Sequence, residues 1–453
     1  MNETTRRGFL GGALGASAAA LAGCSSGSDE AVKAPATQRS TTTTTILHRA
    51  GDRPDPTKPE GHDGLPKIEH IVVLMMENHS YDNYFGMLDR GDGFTLDAKG
   101  KPTNACLDAA GREVRAFPMA NTCQLPKQPS QAWNASHAQW NNGKMDGFVT
   151  SDSGPVSMGY FDRSDIPFYY DLASTFPLSD RWFCSTLCQT YPNRRFLLAG
   201  TALGDIRTDT STINGPPPPN GTLMEQLDRN GIVWRDYYTS LPTVLLYPYL
   251  STRFTGKLAK IDQFFVDAQA GNLPQFCLVE PDFDHQSEEN PQDVSQGENF
   301  AASVINAVMA GPDWGSTLLV WTYDEHGGYY DHVPPPPGVL PDNVPPALET
   351  GDVPGAYDRY GMRVPAVIVS PWAKKDYISH VVHDHTSILK LVHTKWNLPA
   401  LTARDANADN LLDSLDFSGK PAFATPPTLH KPLNPSSTVP LCTAPGPIPN
   451  PAG

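Results

Sequence analysis

The sequence predicts an α/β protein with a mostly parallel sheet flanked by helices and with loop-rich insertions. Apolar runs typical of buried strands alternate along the chain with stretches of helical periodicity. Two of these runs end directly in pairs of polar side chains, Glu77-Asn78 and Asp324-Glu325. Because open α/β sheets bind their ligands at the carboxyl ends of strands, these two positions also predict a ligand site.

The predicted elements extend from residue 68 to residue 396. Apolar and β-branched runs predict strands at 68–76, 232–234, 276–279, 317–323 and 364–370. Helical patterns predict helices at 221–229, 298–309 and 386–396. Residues 90–170 have weak periodicity, which indicates an insertion or cap with irregular loops.

The chain has 453 residues, enough for one large α/β domain or two smaller ones. Its 49 acidic and 34 basic side chains give a formal net charge of −15. This acidic balance, without a basic cluster, argues against nucleic acid as a partner. It also argues against long-range attraction to anionic membranes.

The first residues are typical of an export signal. Thr4–Leu10 contains Arg6-Arg7 and resembles a twin-arginine signal, and Leu21–Cys24 resembles a bacterial lipobox. Cleavage before Cys24 would leave a diacylated cysteine, so we expect an extracytoplasmic protein that is lipid-anchored to the cell membrane or released to the cell envelope. The alternative is a signal peptide that ends in a chance cysteine. No other stretch is long and apolar enough to span a bilayer.

Four regions follow from this pattern. Residues 1–24 form the predicted lipoprotein signal peptide, and residues 25–66, which are rich in Ser, Thr and Pro, form a flexible tether. Residues 67–425 form the catalytic domain, and residues 426–453 form a Pro-rich, extended tail. We expect the protein to be a monomer whose only attachment to the membrane is the lipid on Cys24.

Six cysteines remain when Cys24 is set aside, and an even number outside the cytoplasm predicts disulfides. Six cysteines allow 15 pairings, between which the sequence does not choose. Proximity along the chain favours Cys106–Cys123 and Cys184–Cys188. A zinc site is less favoured, since the spacing lacks a repeated C-x-x-C.

The two polar pairs after the strands predict a metal site. Adjacent carboxylates such as Asp324 and Glu325 stay ionised together only if a cation or hydrogen-bond donors neutralise them. Carboxylate and amide oxygens, including those of Glu77 and Asn78, suit a hard divalent cation. We therefore expect one divalent cation, with Ca²⁺ first, Mg²⁺ or Mn²⁺ next, and Zn²⁺ less favoured. The simpler alternative is a pair of polar loops after core strands.

A third polar stretch, Ser185–Gly200, contains a predicted helix start at Pro192-Asn193. Thr190 would lie at the N-terminus of that helix, where free amides and the helix dipole favour anions. A threonine hydroxyl bound to a cation can attack phosphorus, and Asn193 with nearby amides would stabilise the phosphoryl oxygens. The alternative is that Thr190 is a plain N-cap.

Histidines occur near the same predicted strand ends and in the insertion. They include His137 in Trp133–His137, His285 in Glu280–His285, and His326 and His332 in the stretch after Asp324. A single histidine is more often structural than catalytic. Four separate strand ends that carry acidic or histidine residues are less readily explained by structure alone.

These stretches together resemble the phosphoesterase family that contains non-specific phospholipases C of bacteria and plants and bacterial acid phosphatases that inhibit the respiratory burst. The shared stretches are 77–86, 142–146, 190–194, 293–298, 324–336 and 385–388. The resemblance covers nearly all of the predicted folded region and implies an alkaline-phosphatase-like α/β fold.

The resemblance also implies functional roles. Glu77, Asn78, Asp324 and Glu325 would be metal ligands, and Thr190 would be the nucleophile and a further ligand. His137 would hold the phosphoryl group or serve the leaving group.

One position departs from the family pattern. Members often have His-Pro where this chain has Asn290-Pro291. The candidates to replace that histidine are His285, His326 and His332.

The expected function is metal-dependent hydrolysis of phosphate esters through a phosphothreonine, with a histidine that protonates the leaving group. The leading substrate is a phospholipid headgroup bond, as in a phospholipase C. The alternative is a broad-specificity acid phosphatase acting on small phosphomonoesters. A third hypothesis, a non-catalytic anion-binding lipoprotein, would lead one to expect a degraded ligand set, but all of its members are present.

Overall fold

The computed structural model describes residues 47–123, 129–434 and 442, and these residues contain twelve strands and ten α-helices. The strands are β1 His70–Met76, β2 Ala105–Leu107, β3 Glu113–Arg115, β4 Phe117–Pro118, β5 Gly159–Tyr160, β6 Leu178–Ser179, β7 Trp234–Tyr238, β8 Leu258–Lys260, β9 Phe276–Glu280, β10 Thr317–Tyr323, β11 Ala366–Val369 and β12 Ile378–Ser379. The helices are α1 Tyr81–Phe85, α2 Trp133–Trp140, α3 Pro167–Thr175, α4 Thr190–Ala199, α5 Leu223–Arg229, α6 Pro248–Arg253, α7 Ile261–Ala270, α8 Val294–Ala310, α9 His385–Trp396 and α10 Ala403–Ala406.

Eight of the strands form one mixed sheet in the order β12-β6-β11-β10-β1-β9-β7-β8. The pairs β11–β10 and β11–β6 are antiparallel, and the other pairs are parallel. All seven residues of β10 and six of the seven residues of β1 are buried, as expected for parallel strands covered on both faces. The predicted α/β class, with a mostly parallel sheet flanked by helices, is confirmed.

The central strands lie where the sequence predicts them, and the sheet edges do not. β10 has the predicted bounds, whereas β7 begins two residues after the predicted start at Ile232. Ile232 instead belongs to the turn that ends α5, because its amide donates to the carbonyl oxygen of Leu227 (2.9 Å). The short strands β6, β8 and β12 carry too few apolar residues to be recognised from periodicity.

The insertion predicted at 90–170 is rich in loops in the part of the chain that the structure describes. It contains two small two-stranded sheets, β2–β3 and β4–β5, together with α2 and the start of α3. α2 lies directly before the Asn141–Met145 turn, in which three non-glycine residues have positive φ. This irregular backbone explains the weak periodicity of the sequence there.

The compact unit begins at Leu47 rather than at residue 67. Residues 47–66 lie against the end of α9: the amide of Gly51 donates to the Ala400 carbonyl (2.8 Å) and that of Gly64 to the Lys395 carbonyl (2.7 Å). The Lys395 ammonium in turn contacts Asp63 Oδ1 (2.5 Å) and the Leu65 carbonyl (3.0 Å). The predicted signal peptide, Cys24 and residues 25–46 lie outside the described residues.

Both predicted cysteine pairs are wrong. Cys123 forms a disulfide with Cys442, 319 residues away, and links the insertion to the C-terminal tail. Cys106, Cys184, Cys188 and Cys277 are buried free thiols. The sulfurs of the second predicted pair point apart: Cys184 Sγ faces the Thr186 carbonyl (3.5 Å) and Cys188 Sγ faces the Ile206 carbonyl (2.8 Å). Proximity in sequence therefore did not indicate proximity of the sulfur atoms.

Among the described helices, none has both the length and the apolar character needed to cross a membrane.

Candidate active site

The site begins where β1 and β10 end side by side. Met76 is paired with Tyr323 in the parallel ladder, and the amide of Asp324 donates to the Met76 carbonyl (3.1 Å). Glu77 and Asp324 are therefore the next residues on neighbouring strands and leave the sheet at the same edge. Hydrophobic strand pairing thus brings two pairs of polar side chains together from 247 residues apart in the chain.

A glycine turn after β10 fixes the second carboxylate. The amide of Gly327 donates to Glu325 Oε2 (2.8 Å), and the amide of Glu325 donates to Asp324 Oδ1 (2.7 Å). Gly327 has φ +64°, and a Cβ atom there would lie 2.0 Å from the Asn78 carbonyl oxygen. Only glycine permits this close approach, which brings the Asn78 segment next to the loop that carries Glu325.

A buried arginine, Arg194 on α4, lies among the carboxylates and was missed by the sequence analysis. Its Nε donates to Asp324 Oδ2 (2.9 Å), its Nη1 donates to Glu280 Oε2 (3.0 Å), and its Nη2 lies 3.6 Å from Glu77 Oε1. These three carboxylates raise the pKa of Arg194 although burial opposes them, so the guanidinium stays charged. The available signal was the position of Arg194 in the polar motif that follows Thr190.

The carboxyl groups around Arg194 outnumber it. Each of these carboxyl groups is buried and has a raised pKa. They are Glu77, Asp236, Glu280, Glu289, Asp324 and Glu325. Burial is the main cause of each shift, and it raises the pKa of Asp324 to about 6. One guanidinium cannot neutralise six carboxylates, so the cluster carries excess negative charge unless protons or a cation bind.

The donor atoms fit a divalent cation. Within the described residues, both amide atoms of Asn78 and Oε1 of Glu325 are buried without a hydrogen-bond partner. Unsatisfied buried oxygens beside repelling carboxylates are suitable ligands for a hard cation. Three groups in the described residues place three ligand atoms within 4.8 Å of one another, and Glu77, Asp324 and Glu325 are not among them. The guanidinium of Arg194 contacts both Glu77 and Asp324.

Thr190 is the first residue of α4, and Gln189 is the N-cap. Thr190 lines a cavity of about 940 Å³ together with Glu77, Arg194 and Glu289. The helix start predicted near Thr190 is therefore present and points toward the carboxylate cluster. In its first turn the Tyr191 amide donates to Thr208 Oγ1 (3.3 Å), the Asn193 amide donates to the Gln189 carbonyl (3.4 Å), and Pro192 has no N–H. The feature of this turn that favours an anion is therefore the positive end of the helix dipole.

The structure gives Asn193 partners within its own loop. Its Oδ1 accepts from the Thr186 amide (3.0 Å), and its Nδ2 donates to the carbonyls of Cys188 (2.9 Å) and Gln189 (3.0 Å). The side chain is fully buried. These bonds hold the Asn193 side chain within the loop that precedes Thr190.

The four histidines singled out from the sequence lie apart, and no histidine lines the cavity in the described part of the chain. His137 Nδ1 bonds to the Trp133 carbonyl (2.7 Å), and its other nitrogen faces Gly355. His285 is exposed and contacts Asp282 Oδ2 (3.0 Å). His332 contacts Asp82 Oδ2 (2.7 Å) beside Arg363, and its pKa is raised to about 8 because bonding to Asp82 outweighs burial.

His326 is the histidine nearest the carboxylates. Its Nε2 contacts Gln139 Oε1 (2.7 Å), and its Nδ1 lies 3.4 Å from Glu325 Oε2. Burial lowers its pKa to about 3, so the ring is neutral. It therefore supports the Glu325 loop from behind.

Glu289 is an acidic residue that lines the cavity. It lies one residue before Asn290, which stands where members of the family often have a histidine. Burial and the charge of Asp324 raise the pKa of Glu289 to about 7, although Arg194 and a hydrogen bond from Gln131 oppose the shift. The sequence analysis missed Glu289, because its search at that position was for a histidine.

The neighbouring Glu288 points the other way, into the core. It accepts hydrogen bonds from the hydroxyls of Tyr84 (2.5 Å), Tyr169 (2.6 Å) and Tyr323. Burial nevertheless raises its pKa to about 8, and that of nearby Glu298 to about 8. The three tyrosines thus anchor the backbone that presents Glu289.

The burial of the Glu288 carboxyl group predicts that the stability of the protein depends on pH. Because Glu288 binds its proton more tightly in the folded state, the free energy of unfolding should fall as pH rises from about 5 to about 8. Glu288→Gln should remove roughly 1–4 kcal/mol of that fall. Urea unfolding in chelator at pH 5.5 and 8 measures the slope, with exposed Glu113→Gln as the control. Equal slopes in wild type and Glu288→Gln would refute the prediction.

Comparison with known proteins places this geometry in a family. The Phosphoesterase family matches residues 68–399. Phospholipase C B of Mycobacterium tuberculosis is 30% identical over 440 residues, covering 84% of this chain and 84% of its own. Non-specific phospholipase C6 of Arabidopsis thaliana is 30% identical over 414 residues, covering 81% of this chain and 76% of its own.

Solved structures are more distant. A protein in the alkaline phosphatase superfamily from Vibrio parahaemolyticus aligns with TM-score 0.37 and 9% identity, covering 80% of this chain and 75% of that one. A TM-score this low carries no argument of its own.

The α/β fold and the site at the strand ends define a phosphoric ester hydrolase. The chain belongs to the Phosphoesterase family.

Proposed function

We propose that the protein hydrolyses phospholipid headgroup bonds in the manner of a phospholipase C, with a divalent cation and Thr190 as nucleophile. The observation that carries this proposal is the cavity. Thr190, Glu77 and Glu289 line it together with apolar residues that include Leu241, Pro242, Leu245, Leu246 and Pro248. Charged and apolar residues in one cavity match a phosphodiester attached to a lipid. The names of the relatives support the same substrate class.

In the first half-reaction, Thr190 Oγ1 loses its proton and forms a bond to phosphorus, the bond from phosphorus to the leaving oxygen breaks, and the leaving oxygen takes up a proton, which balances the one lost by the hydroxyl. Water then attacks the phosphothreonine, releases the phosphate product and returns the proton to Thr190. A divalent cation held by Glu77, Asn78, Thr190, Asp324 and Glu325 would polarise a phosphoryl oxygen and favour ionisation of the threonine hydroxyl. Ca²⁺ suits the oxygen ligands best, ahead of Mg²⁺, Mn²⁺ and Zn²⁺.

Two groups of the chain orient the reacting atoms. Arg194 ties α4 to Asp324 and Glu280, which fixes the helix start relative to the strand ends. The positive end of the α4 dipole favours the negative charge that spreads over the phosphoryl oxygens. The leaving oxygen needs a proton. Glu289 and Asp284 are acidic residues that line the cavity and are not proposed ligands, and we assign the proton to Glu289, whose pKa is raised to about 7 by burial and by the charge of Asp324.

Glu289→Gln tests this role through the leaving group. The alkoxide of diacylglycerol must be protonated as it leaves, whereas p-nitrophenolate can leave as an anion. We therefore expect kcat to fall roughly 100-fold or more on phosphatidylcholine. On p-nitrophenyl phosphorylcholine, the change should stay within about tenfold. Asp284→Asn, which alters a second carboxylate of the same cavity, is the control. An equal loss on both substrates would assign Glu289 to the ligand set or to structure instead.

The substrate class is tested by assaying phosphatidylcholine and p-nitrophenyl phosphate side by side, with and without chelator. We expect chelator-sensitive turnover with a preference for the lipid. Leu241→Glu places a charge on the apolar wall at a side chain that is 57% exposed, and should weaken lipid hydrolysis only. Leu340→Glu, at a 51% exposed leucine outside the cavity, is the matched control. Hydrolysis of p-nitrophenyl phosphate without hydrolysis of the lipid would favour the acid phosphatase alternative.

We also propose that the chain is exported by the twin-arginine route and anchored through a lipidated Cys24, on the motifs at Arg6-Arg7 and Leu21–Cys24. Cell fractionation of wild type and Cys24→Ala checks the anchor. The wild type should be in the membrane fraction and the variant should be soluble. Equal solubility of both, with no lipid on the wild-type N-terminus, would refute the anchor.

A further inference from the structure

A second cluster of potential metal ligands lies outside the catalytic cavity, just before α9. It consists of His383, Asp409 and Asp413, whose ligand atoms all lie within 4.8 Å of one another. His383 Nε2 is 3.5 Å from Asp409 Oδ1 and 3.5 Å from Asp413 Oδ1. Asp409 is partly exposed, which leaves the cluster open to solvent on one side.

The histidine is built into the fold with one nitrogen directed at the two carboxylates. His383 is 1% exposed, and in the described structure neither its Nε2 nor Asp413 Oδ1 has a hydrogen-bond partner. Its amide donates to the Arg181 carbonyl (2.9 Å), and its carbonyl accepts from the Phe183 amide (2.9 Å). A buried imidazole nitrogen at ion-pair distance from two carboxylates is stabilised either by a proton on that nitrogen or by a metal ion bound to all three groups.

The distances from His383 Nε2 to the two carboxylates distinguish hydrogen bonding from coordination of a shared metal ion. Hydrogen bonds between nitrogen and oxygen are typically about 2.7–3.2 Å long, shorter than the separations here. Two ligands on a tetrahedral Zn²⁺ with bonds of about 2.0–2.1 Å lie about 3.3 Å apart, close to the separations found. One imidazole with two carboxylates is a common set for such ions, and water can take the fourth position.

The surrounding contacts orient the ligands. Ser179 Oγ lies 3.4 Å from His383 Nδ1, so a proton held on Nδ1 leaves a lone pair on Nε2. Asp413 Oδ2 accepts from the hydroxyls of Tyr377 (3.1 Å) and Ser379, which turns Oδ1 toward the histidine. The Lys374 ammonium donates to the Asp413 carbonyl (2.6 Å), not to its carboxylate. Oδ1 of each carboxylate therefore faces His383 Nε2, with no lysine or arginine between them in the contacts described.

From this geometry we propose a second metal site, in which His383, Asp409 and Asp413 bind Zn²⁺ or a similar divalent transition-metal ion. The ion would tie the segment after α10 to the start of α9. The next two residues of the chain reach the catalytic loops: Asp384 accepts from Ser185 Oγ (2.7 Å), and His385 Nε2 bonds to the Asp324 carbonyl (2.7 Å). The site is therefore structural, and it braces the catalytic loops from behind.

The test is the binding of Zn²⁺ alone to the chelator-stripped mature chain, followed by metal analysis and calorimetry. An Asp324→Asn background weakens the proposed catalytic site, and the variants at Asp409 and His383 then identify the second one. We expect about one equivalent of Zn²⁺ there, and at least a tenfold loss of affinity after Asp409→Asn or His383→Gln. His380→Gln, at an exposed histidine that contacts Asp180, should leave binding unchanged.

Stability gives a readout that is independent of turnover. Zn²⁺ should raise the Tm of the Asp324→Asn protein and should not raise that of the Asp324→Asn, Asp409→Asn double variant. Because Asp409 is partly exposed, its substitution leaves a folded protein even if His383→Gln does not fold. The same Zn²⁺ stoichiometry and affinity with and without Asp409→Asn would overturn the proposal, as would a failure of the Asp324→Asn protein to bind Zn²⁺. Neither outcome bears on the proposed phospholipid hydrolysis.

Discussion

Thr190→Val is expected to lower kcat/KM for phosphatidylcholine roughly a thousandfold or more at saturating metal, with the fold retained. Valine keeps the shape of threonine and removes the hydroxyl that would attack phosphorus. Thr190 is 6% exposed at the start of α4, where an isosteric change leaves the packing intact.

Thr210→Val is the matched control, since Thr210 lines the same cavity at a more exposed position. Its activity should stay within about threefold of wild type, which is less than 1 kcal/mol in the barrier. Steady-state rates on phosphatidylcholine, with circular dichroism of each variant, provide the comparison. Activity of Thr190→Val within about tenfold of wild type would rule out its role as nucleophile.

Asp324→Asn is expected to have the second largest effect. It removes one charge from the proposed ligand set and also removes the partner of Arg194 Nε. Metal affinity and kcat should both fall, each by roughly 100-fold or more. Calorimetric titration with Ca²⁺ and initial rates at saturating Ca²⁺ measure the two effects separately.

Glu280→Gln distinguishes the loss of a ligand from the disturbance of Arg194. Glu280 also contacts Arg194 (3.0 Å) and is buried, but it is not in the proposed ligand set. It should retain metal affinity near that of wild type. Equal loss of metal in the two variants would show that Arg194, and not the ligand set, controls binding. Unchanged metal content and rate in Asp324→Asn would refute the shared site.

The sequence predicts the part of the site that depends on strands. Continuous apolar runs identified β1 and β10, and parallel strands end at one edge, so the proximity of Glu77 and Asp324 followed from the pattern. The identity of Arg194 as the central cation did not follow. It depends on how α4 is rotated against three strand ends, and periodicity shows which residues are buried but not which charge each one meets.

The sequence also does not predict the direction in which a side chain points. The histidines were reasonable candidates by type, yet His326 bonds to Gln139 of the insertion, and His137, which bonds to the Trp133 carbonyl, faces Gly355. The Cys123–Cys442 disulfide joins segments 319 residues apart, and only the tertiary fold brings their sulfurs together. Long-range contacts between irregular segments carry no periodic signal.

The most direct test of Thr190 as the nucleophile is to look for the covalent intermediate. Wild-type enzyme turning over p-nitrophenyl phosphorylcholine is quenched in acid within milliseconds, digested, and analysed by mass spectrometry. The expected result is a phosphorylcholine adduct on the peptide that contains Thr190, absent from Thr190→Val and depleted when the quench is delayed until the substrate is exhausted. An adduct on another residue, or inversion of configuration at phosphorus with no adduct on any residue, would contradict the assignment of Thr190.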